Sequence, residues 1–426
     1  MISGLAPWER AAFIASFLVI AVSVAWNIWL FCVARRSGPV AAGDEVSADD
    51  FTWIFLVPAL NEEITIADSV DRLLAVRCSR RHIVVVDDGS TDRTPEVLAG
   101  IHHRDLHVLR RDKPDAQLGK ADALNDAWRR LPTMFGDLDR RQTIVCVVDA
   151  DGRLDAEAPS KVVDHFADPR VGGVQVRVRI YNRGTPLTRA QDIEFGVYGL
   201  LYQAARSRMG TAGMGGNGQF NRLATLDDVA EGGSGPWRDK LTEDQDIGLR
   251  MLAAGWRCGH DNRATVDQQG VPNLRRLMRQ RTRWAQGNLQ AMVHLRRIPG
   301  YDVSRRARFD LLWSLLQPVA GAIVGFGVFA AVFAFVNEDV GVVPNSVFLV
   351  VAFFVLGFGG VVIGVTARAG RGPRAWLHGL VIGVAYSAYT WLLWPVLVRA
   401  TWRLMRAKGT WAKTEREAIA PPTAAS

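Results

Sequence analysis

The chain has 426 residues, enough for one large domain with several membrane spans or for two soluble domains. Its mean hydropathy of +0.05 is high for a soluble protein, yet 22% of its residues are charged, so apolar and charged residues must occupy different stretches. A net charge of +8 would suit a nucleic-acid binder, but no basic-aromatic sheet pattern accompanies it, which excludes nucleic acid as a partner.

Ala11 to Val33 is almost wholly apolar. It is longer than a signal-peptide core of about 7–15 residues, and Trp26, Asn27 and Trp29 make no small-residue cleavage site. About 20 apolar residues cross a hydrocarbon core about 30 Å thick, so a membrane span is expected here. Similar runs return at Leu311 to Val336, at Val347 to Val365, and in a last stretch carrying Gly379, Gly383 and Pro395. Basic residues gather beside them: Arg35 and Arg36, then Arg305, Arg306 and Arg308, then Arg368, Arg371 and Arg374, and finally Arg399, Arg403, Arg406 and Lys408. That bias puts these groups on the cytosolic side and the loop at Glu338 and Asp339 outside. An even number of crossings must then separate Arg308 from Arg403, whereas the apolar runs between them number three. One is therefore re-entrant, or the run from Phe309 to Val336, which contains Pro318, is not a simple span. The runs carry few ionisable groups, His378 being the main one, which argues against a coupled transporter. The tail after Lys408 is expected in the cytosol, with Trp411 at the interface.

A Gly/Ala/Asp-rich linker separates the first run from the charged region. Thr52 to Val57, Ile83 to Val86 and Thr143 to Val148 are continuous β-branched and apolar runs, the pattern of strands buried on both faces. Helical patterns lie between them, for example Ala121 to Leu131, so the expected fold is α/β and doubly wound. Ligands in such folds bind beyond the carboxyl ends of the strands, where this chain places acidic residues.

Asp87-Asp88-Gly89-Ser90 follows the second strand. It reads as a turn, with Ser90 or Asp92 capping a helix near Thr94, or as carboxylates for a base or ribose. Gly119-Lys120-Ala121-Asp122 opens a helix, and a lysine there is badly placed for the dipole unless it serves an anion. Asp149-Ala150-Asp151 follows the third strand and reads as a polar turn or as a pair of oxygen ligands for Mg²⁺ or Mn²⁺. In Thr242-Glu243-Asp244-Gln245, Thr242 and Gln245 fit a capping box for a helix running to Ala254 with Gly255 as its stop. Asp244 in the first turn is free to act as a general base. Leu274 to Leu295 mixes Arg with apolar residues as an interfacial helix does, and within it Gln280-Arg281-Thr282-Arg283-Trp284 offers a guanidinium for a diphosphate and an indole face for a sugar. Cys32, Cys78, Cys146 and Cys258 have no metal-ligand spacing and read as small buried residues.

The order DDGS, GKADALN, DAD, TED, QRTRW over Phe51 to His294 resembles the family 2 inverting glycosyltransferases, particularly the membrane-embedded cellulose, chitin, hyaluronan and poly-N-acetylglucosamine synthases. The resemblance implies a GT-A fold, a nucleotide-sugar donor, usually UDP-linked, and a divalent metal, Mg²⁺ or Mn²⁺. It implies donor contacts from Asp87, Asp88, Lys120, Asp149 and Arg283, metal ligands in Asp151 and Asp149, and Asp244 as the base. It implies an acceptor side built from Asn217, Gly218, Glu243, Gln280 and Trp284. The expected domains are a span with linker (1–43), a catalytic domain (44–272), interface helices (273–308), membrane helices (309–408) and a tail (409–426). The expected protein is a multi-pass enzyme of the inner (plasma) membrane with a cytosolic catalytic domain. It would extend a β-linked polysaccharide or, alternatively, add one sugar to a lipid, with the bilayer and a second copy of itself as candidate partners. One departure leaves the acceptor open: residues 215–222 read GGNGQFNR, without the Cys or Ser of cellulose and hyaluronan synthases.

Overall fold

The computed structural model describes residues 6–36, 46–230, 233, 235–337, 370 and 372–406. The run Val347 to Val365, the acidic loop at Glu338 and Asp339, and the tail with Trp411 lie outside them.

The chain opens with helix α1 (Pro7–Arg35). An α/β half follows: β1 (Thr52–Ala59), α2 (Ile66–Leu74), β2 (Arg81–Asp87), α3 (Thr94–Ala99), β3 (Leu106–Arg110), α4 (Lys120–Phe135) and β4 (Thr143–Val147). Next come β5 (Arg153–Leu154), α5 (Ala158–Phe166), β6 (Val171–Ile180), α6 (Pro186–Val197), a π-helical turn at Tyr198–Gln203 and α7 (Ala204–Met209). The second half closes with β7 (Gln219–Arg222), α8 (Leu223–Val229), α9 (Glu243–Ala253), β8 (Arg257–Gln268) and α10 (Leu274–Ala291). Helix α11 (Arg305–Asn337) and the helices Pro373–Thr390 and Leu393–Met405 complete the described chain.

One eight-stranded sheet runs in the order β3-β2-β1-β4-β7-β6-β8-β5. The three strands expected from sequence are its centre, with Trp53, Ile54, Phe55, Val84, Val85, Ile144 and Val145 wholly buried. Pro58 belongs to β1 although proline is rare in central strands. Its missing N–H falls on the β4 side, beyond the last pair Leu56↔Val147, so no ladder bond is lost. The α/β sheet is mixed: β1, β2, β3 and β4 pair in parallel, whereas β7 pairs antiparallel with both β4 and β6, and β5 pairs antiparallel with β8. Short β7, with only four residues, carried too little periodicity to announce itself.

The capping box at Thr242 also fails. Its side chain makes no cap bond to the backbone, and its Oγ1 donates instead to Gln245 Oε1 (3.3 Å). Asp92 does cap α3, accepting from the Thr94 N–H at 2.9 Å. Cys146 and Cys258 are buried as expected, but Cys32 is exposed on α1.

Two helices among the described residues, Pro7–Arg35 and Arg305–Ala330, are long and apolar enough to cross a membrane. Pro318 does not interrupt α11, whereas the last apolar run is split by a turn at Trp391 and Leu392. Helix α1 lies along α11, with Ser16 Oγ donating to the Ile323 carbonyl (3.1 Å) and Trp26 Nε1 to Asp310 Oδ1 (2.9 Å). Arg206 Nε of α7 donates to the other oxygen of Asp310 (2.6 Å), joining this pair to the sheet domain.

Candidate active site

The carboxyl ends of β1, β2 and β4 point one way, and the pairing changes from parallel to antiparallel between β4 and β7 beside them. Gly119 precedes α4 at φ +129°, a conformation glycine reaches freely, and delivers Lys120 to the end of β4. Lys120 Nζ donates to Asp149 Oδ1 (2.7 Å) and lies 3.5 Å from Glu243 Oε1. Gly216, at φ +78°, covers the same point. A Cβ there would lie 3.1 Å from Asp244 Oδ2 and 3.5 Å from Lys120 Nζ. Residues from α4, β4, the loop before β7 and the first turn of α9 thus converge on one cation.

Burial and the charge of Glu243 push the Asp244 carboxyl up to about 7, against the pull of Lys120 and the Gln245 N–H. Burial alone would lower Lys120, but Asp149, Glu243 and Asp244 hold it above the ordinary lysine range. The helix behind Asp244 is fixed firmly. Asp246, two residues on, accepts from His294 Nε2 (3.0 Å) and Arg250 Nε (2.8 Å), which overcome its burial and hold it down at about 2.

Asp151 is buried, and the Gln269 N–H reaches its Oδ2 at 3.4 Å. Asn217 Oδ1 accepts the Asp149 N–H (3.1 Å), and its Nδ2 donates to Gln268 Oε1 (3.1 Å). Gly218 donates its N–H to the Val147 carbonyl (2.9 Å) and is packed against Val176 and Val266. Asn217 and Gly218 are therefore buried beneath the Asp149 turn, while Gly216 faces Asp244. Among the described residues no group of three or more His, Cys, Asp or Glu is arranged around a metal position. Asp149 and Asp151 supply two hard oxygen donors one residue apart, which fits a Mg²⁺ or Mn²⁺ whose remaining ligands are substrate phosphates and water.

The DDGS aspartates sit deeper. Asp87 accepts from Arg110 and from the Ser90 N–H (3.0 Å), and Asp88 from Arg111 Nη1 (2.6 Å) and the Gln117 N–H (3.0 Å). Burial pushes Asp88 up, with the Gln117 N–H and Arg111 opposing it. Arg111 also pairs with Asp122 of α4, so the second strand end is tied to the helix that carries Lys120. Sequence reading missed Arg110 and Arg111. The signal was present as a basic doublet ending β3, in register with the acidic doublet (Asp87↔Arg110).

The QRTRW segment lies on α10, which packs against the start of α9. Gly287 makes this possible, since any Cβ would overlap the Thr242 side chain. Arg283 and Trp284 are half-buried. Arg281, which sequence reading left without a role, is buried, at 5% side-chain exposure, and so is Thr282 beside it. Its Nη2 donates to Glu194 Oε2 (2.7 Å), and its guanidinium carbon lies 4.1 Å from the Trp284 ring centre. Phe195 meets Trp284 edge-on with centroids 6.2 Å apart.

The description "Glycosyl transferase family group 2" matches residues 144–398, and "Glycosyl transferase family 2" matches residues 54–227. A beta-monoglucosyldiacylglycerol synthase of Synechocystis sp. is 32% identical over 293 residues, covering 66% of this chain and 57% of that protein. A poly-beta-1,6-N-acetyl-D-glucosamine synthase of Staphylococcus aureus is 25% identical over 313 residues, 70% of this chain and 72% of that one. The chain thus spans about half the length of the glucosyldiacylglycerol synthases it matches (57% and 48% for two of them). Among solved structures, the mannosyltransferase PcManGT from Pyrobaculum calidifontis, in complex with GDP-Man and Mn²⁺, aligns at TM-score 0.61 and 19% identity. That alignment covers 93% of this chain and 99% of the neighbour, and shows a GT-A-like fold. Since the first of the two descriptions takes in more than half of the sequence, the chain belongs to glycosyl transferase family group 2.

Proposed function

We propose that the protein transfers one hexosyl group from a nucleotide-sugar donor, UDP-linked, to an acceptor hydroxyl with inversion at the anomeric carbon. The observation that carries this is the convergence of Asp244 with Lys120, Asp149 and Glu243, where burial and the charge of Glu243 push the Asp244 carboxyl up to about 7. A base with that affinity is about half ionised at neutral pH and readily takes up a proton, the compromise general-base catalysis requires. The acceptor oxygen attacks the anomeric carbon while its proton passes to Asp244. The bond from that carbon to the β-phosphate oxygen breaks, and its electron pair leaves with the nucleoside diphosphate. Inversion follows from a single displacement, so no covalent nucleophile is required.

The leaving group gains negative charge, and Lys120 and Arg283 supply cations for it. Asp87 and Asp88 hold the nucleoside. Asp149 and Asp151 would hold a divalent cation, Mg²⁺ or Mn²⁺, which when bound neutralises diphosphate charge. Trp284, Gln280 and Glu243 face the acceptor, over a floor set by Asn217 and Gly218. Helices α1 and α11 seat the enzyme in a membrane, with the sheet domain on the cytosolic side.

For the acceptor, the sequence alone put a growing polysaccharide ahead of a lipid. The order reverses because the relatives at 32% and 34% identity are monoglucosyldiacylglycerol synthases, while the polysaccharide synthase stands at 25%. A lipid hydroxyl such as that of diacylglycerol is therefore the first reading. A polymer is the second, favoured by the QRTRW helix. Purified protein in lipid nanodiscs, given radiolabelled UDP-glucose or UDP-N-acetylglucosamine with or without diacylglycerol, distinguishes them by product size. A single glycolipid is expected. Long chains would overturn the lipid reading, and no nucleotide release across a panel of UDP- and GDP-sugars would overturn glycosyl transfer itself.

A further inference from the structure

Glu194 is not part of any motif read from the sequence, yet it stands where three elements meet. It lies on α6, and its Oε2 accepts from Arg281 Nη2 of α10 (2.7 Å) and from the Tyr389 hydroxyl of helix Pro373–Thr390 (2.8 Å). Arg281 thereby stands over Trp284, its guanidinium carbon 4.1 Å from the ring centre and 5.8 Å from that of Phe195. Two further nitrogens of this buried guanidinium, Nε and Nη1, have no hydrogen-bond partner among the described residues, so the aromatic faces of Trp284 and Phe195 compensate part of their burial. An arginine so placed is stable only while Glu194 holds its other side, because a buried cation without its carboxylate is costly.

We propose that Glu194 is a positioning residue for the acceptor subsite: through Arg281 it fixes the plane of Trp284, and Tyr389 makes that plane depend on the seating of the helix Pro373–Thr390 against α6. The proposal rests on the reading of Trp284 as the acceptor's stacking face. A sugar or glycolipid headgroup stacks only on a ring of defined orientation, so acceptor affinity is set partly from the membrane-side helix. Of the donor contacts, Asp87, Asp88, Lys120 and Asp149 come from α4 and the ends of β2 and β4, outside this network; Arg283 shares α10 with Arg281 but is not bonded by Glu194 or Tyr389, so donor affinity is expected to change far less than acceptor affinity.

The test is steady-state kinetics of Tyr389→Phe, Glu194→Gln and Trp284→Ala in the full chain, reading acceptor KM, donor KM and kcat separately. Acceptor-independent donor hydrolysis and thermal unfolding accompany each variant. Tyr389→Phe removes one hydroxyl and is expected to raise acceptor KM about threefold to tenfold, with donor KM and hydrolysis within twofold of the parent. Glu194→Gln, which keeps an acceptor oxygen but loses the charge, is expected to raise acceptor KM more, and Arg281→Lys is not expected to restore it, since an ammonium cannot stack as a plane. Should Trp284→Ala raise acceptor KM while Tyr389→Phe and Glu194→Gln do not, the positioning role is wrong and the stacking face stands. Should Trp284→Ala itself leave acceptor KM unchanged, the stacking reading fails and this inference with it. If Glu194→Gln does not fold, Tyr389→Phe alone decides.

Discussion

Asp244 and Lys120 share one problem: each needs the other's charge, and both are withdrawn from water. Burial and the charge of Glu243 push the Asp244 carboxyl up to about 7, which gives its role a sign. Transfer requires the carboxylate, so kcat/KM should be level above pH 7 and fall about tenfold per unit as pH drops below it. Asp244→Asn should lower kcat by about 10²–10⁴-fold while nucleotide affinity, measured by calorimetry, stays unchanged. Lys120 lowers the affinity of Asp244 for its proton, so Lys120→Met should move the acid limb to higher pH and raise donor KM. Full activity in Asp244→Asn would remove it as the base. At this scale the sequence was legible wherever chemistry and position coincided, as at Lys120, Asp149, Glu243 and Asp244. It was illegible where a residue acts by burial: Arg111, Asp246 and Arg281 look like ordinary surface charges in a string of letters, and only packing turns them into buried partners.

Elements decide how closely these side chains approach. Gly216 needs its positive φ, and a side chain there would crowd the base. Gly216→Ala should therefore lower kcat at least tenfold, with a loss of stability of only about 1 kcal/mol from backbone strain. A variant with parental kcat would mean that the loop moves aside in solution. Long, apolar β1, β2 and β4 could be read from sequence because burial on both faces leaves an uninterrupted β-branched run. Strand β7 could not, being short and polar: Gln219, Asn221 and Arg222 are nevertheless buried, with their polar atoms bonded to neighbouring residues. The cap expected of Thr242 failed because α10 presses on that residue at Gly287 and redirects it, a tertiary contact outweighing a local rule.

Across the whole molecule, Asp310 is the joint between the membrane-type helices and the sheet domain. It is 1% exposed and serves Trp26 of α1 and Arg206 of α7 together. Asp310→Ala leaves Arg206 without its carboxylate, which costs about 3–5 kcal/mol for a buried pair. Thermal unfolding in detergent should fall accordingly, while Asp310→Asn, which keeps the acceptor for Trp26, should lose less. Equal melting of parent and Asp310→Ala would show that the joint carries no stability. The number of membrane passes stayed unreadable from sequence because proline and glycine mark both kinks and ends; α11 runs straight through its proline, and the last run breaks one turn earlier than Pro395 suggests.

The reversal of direction beside β4 also has a temporal side. Strand β4 is flanked by β1, already made, and by β7, whose neighbour Asn217 lies 68 residues beyond its partner Asp149. A chain emerging from the ribosome must therefore carry one apolar ribbon with a bare backbone edge until that distant piece arrives, the interval in which such ribbons join the wrong neighbour. Slow translation or a break within this interval would cost yield of intact enzyme before it touched turnover.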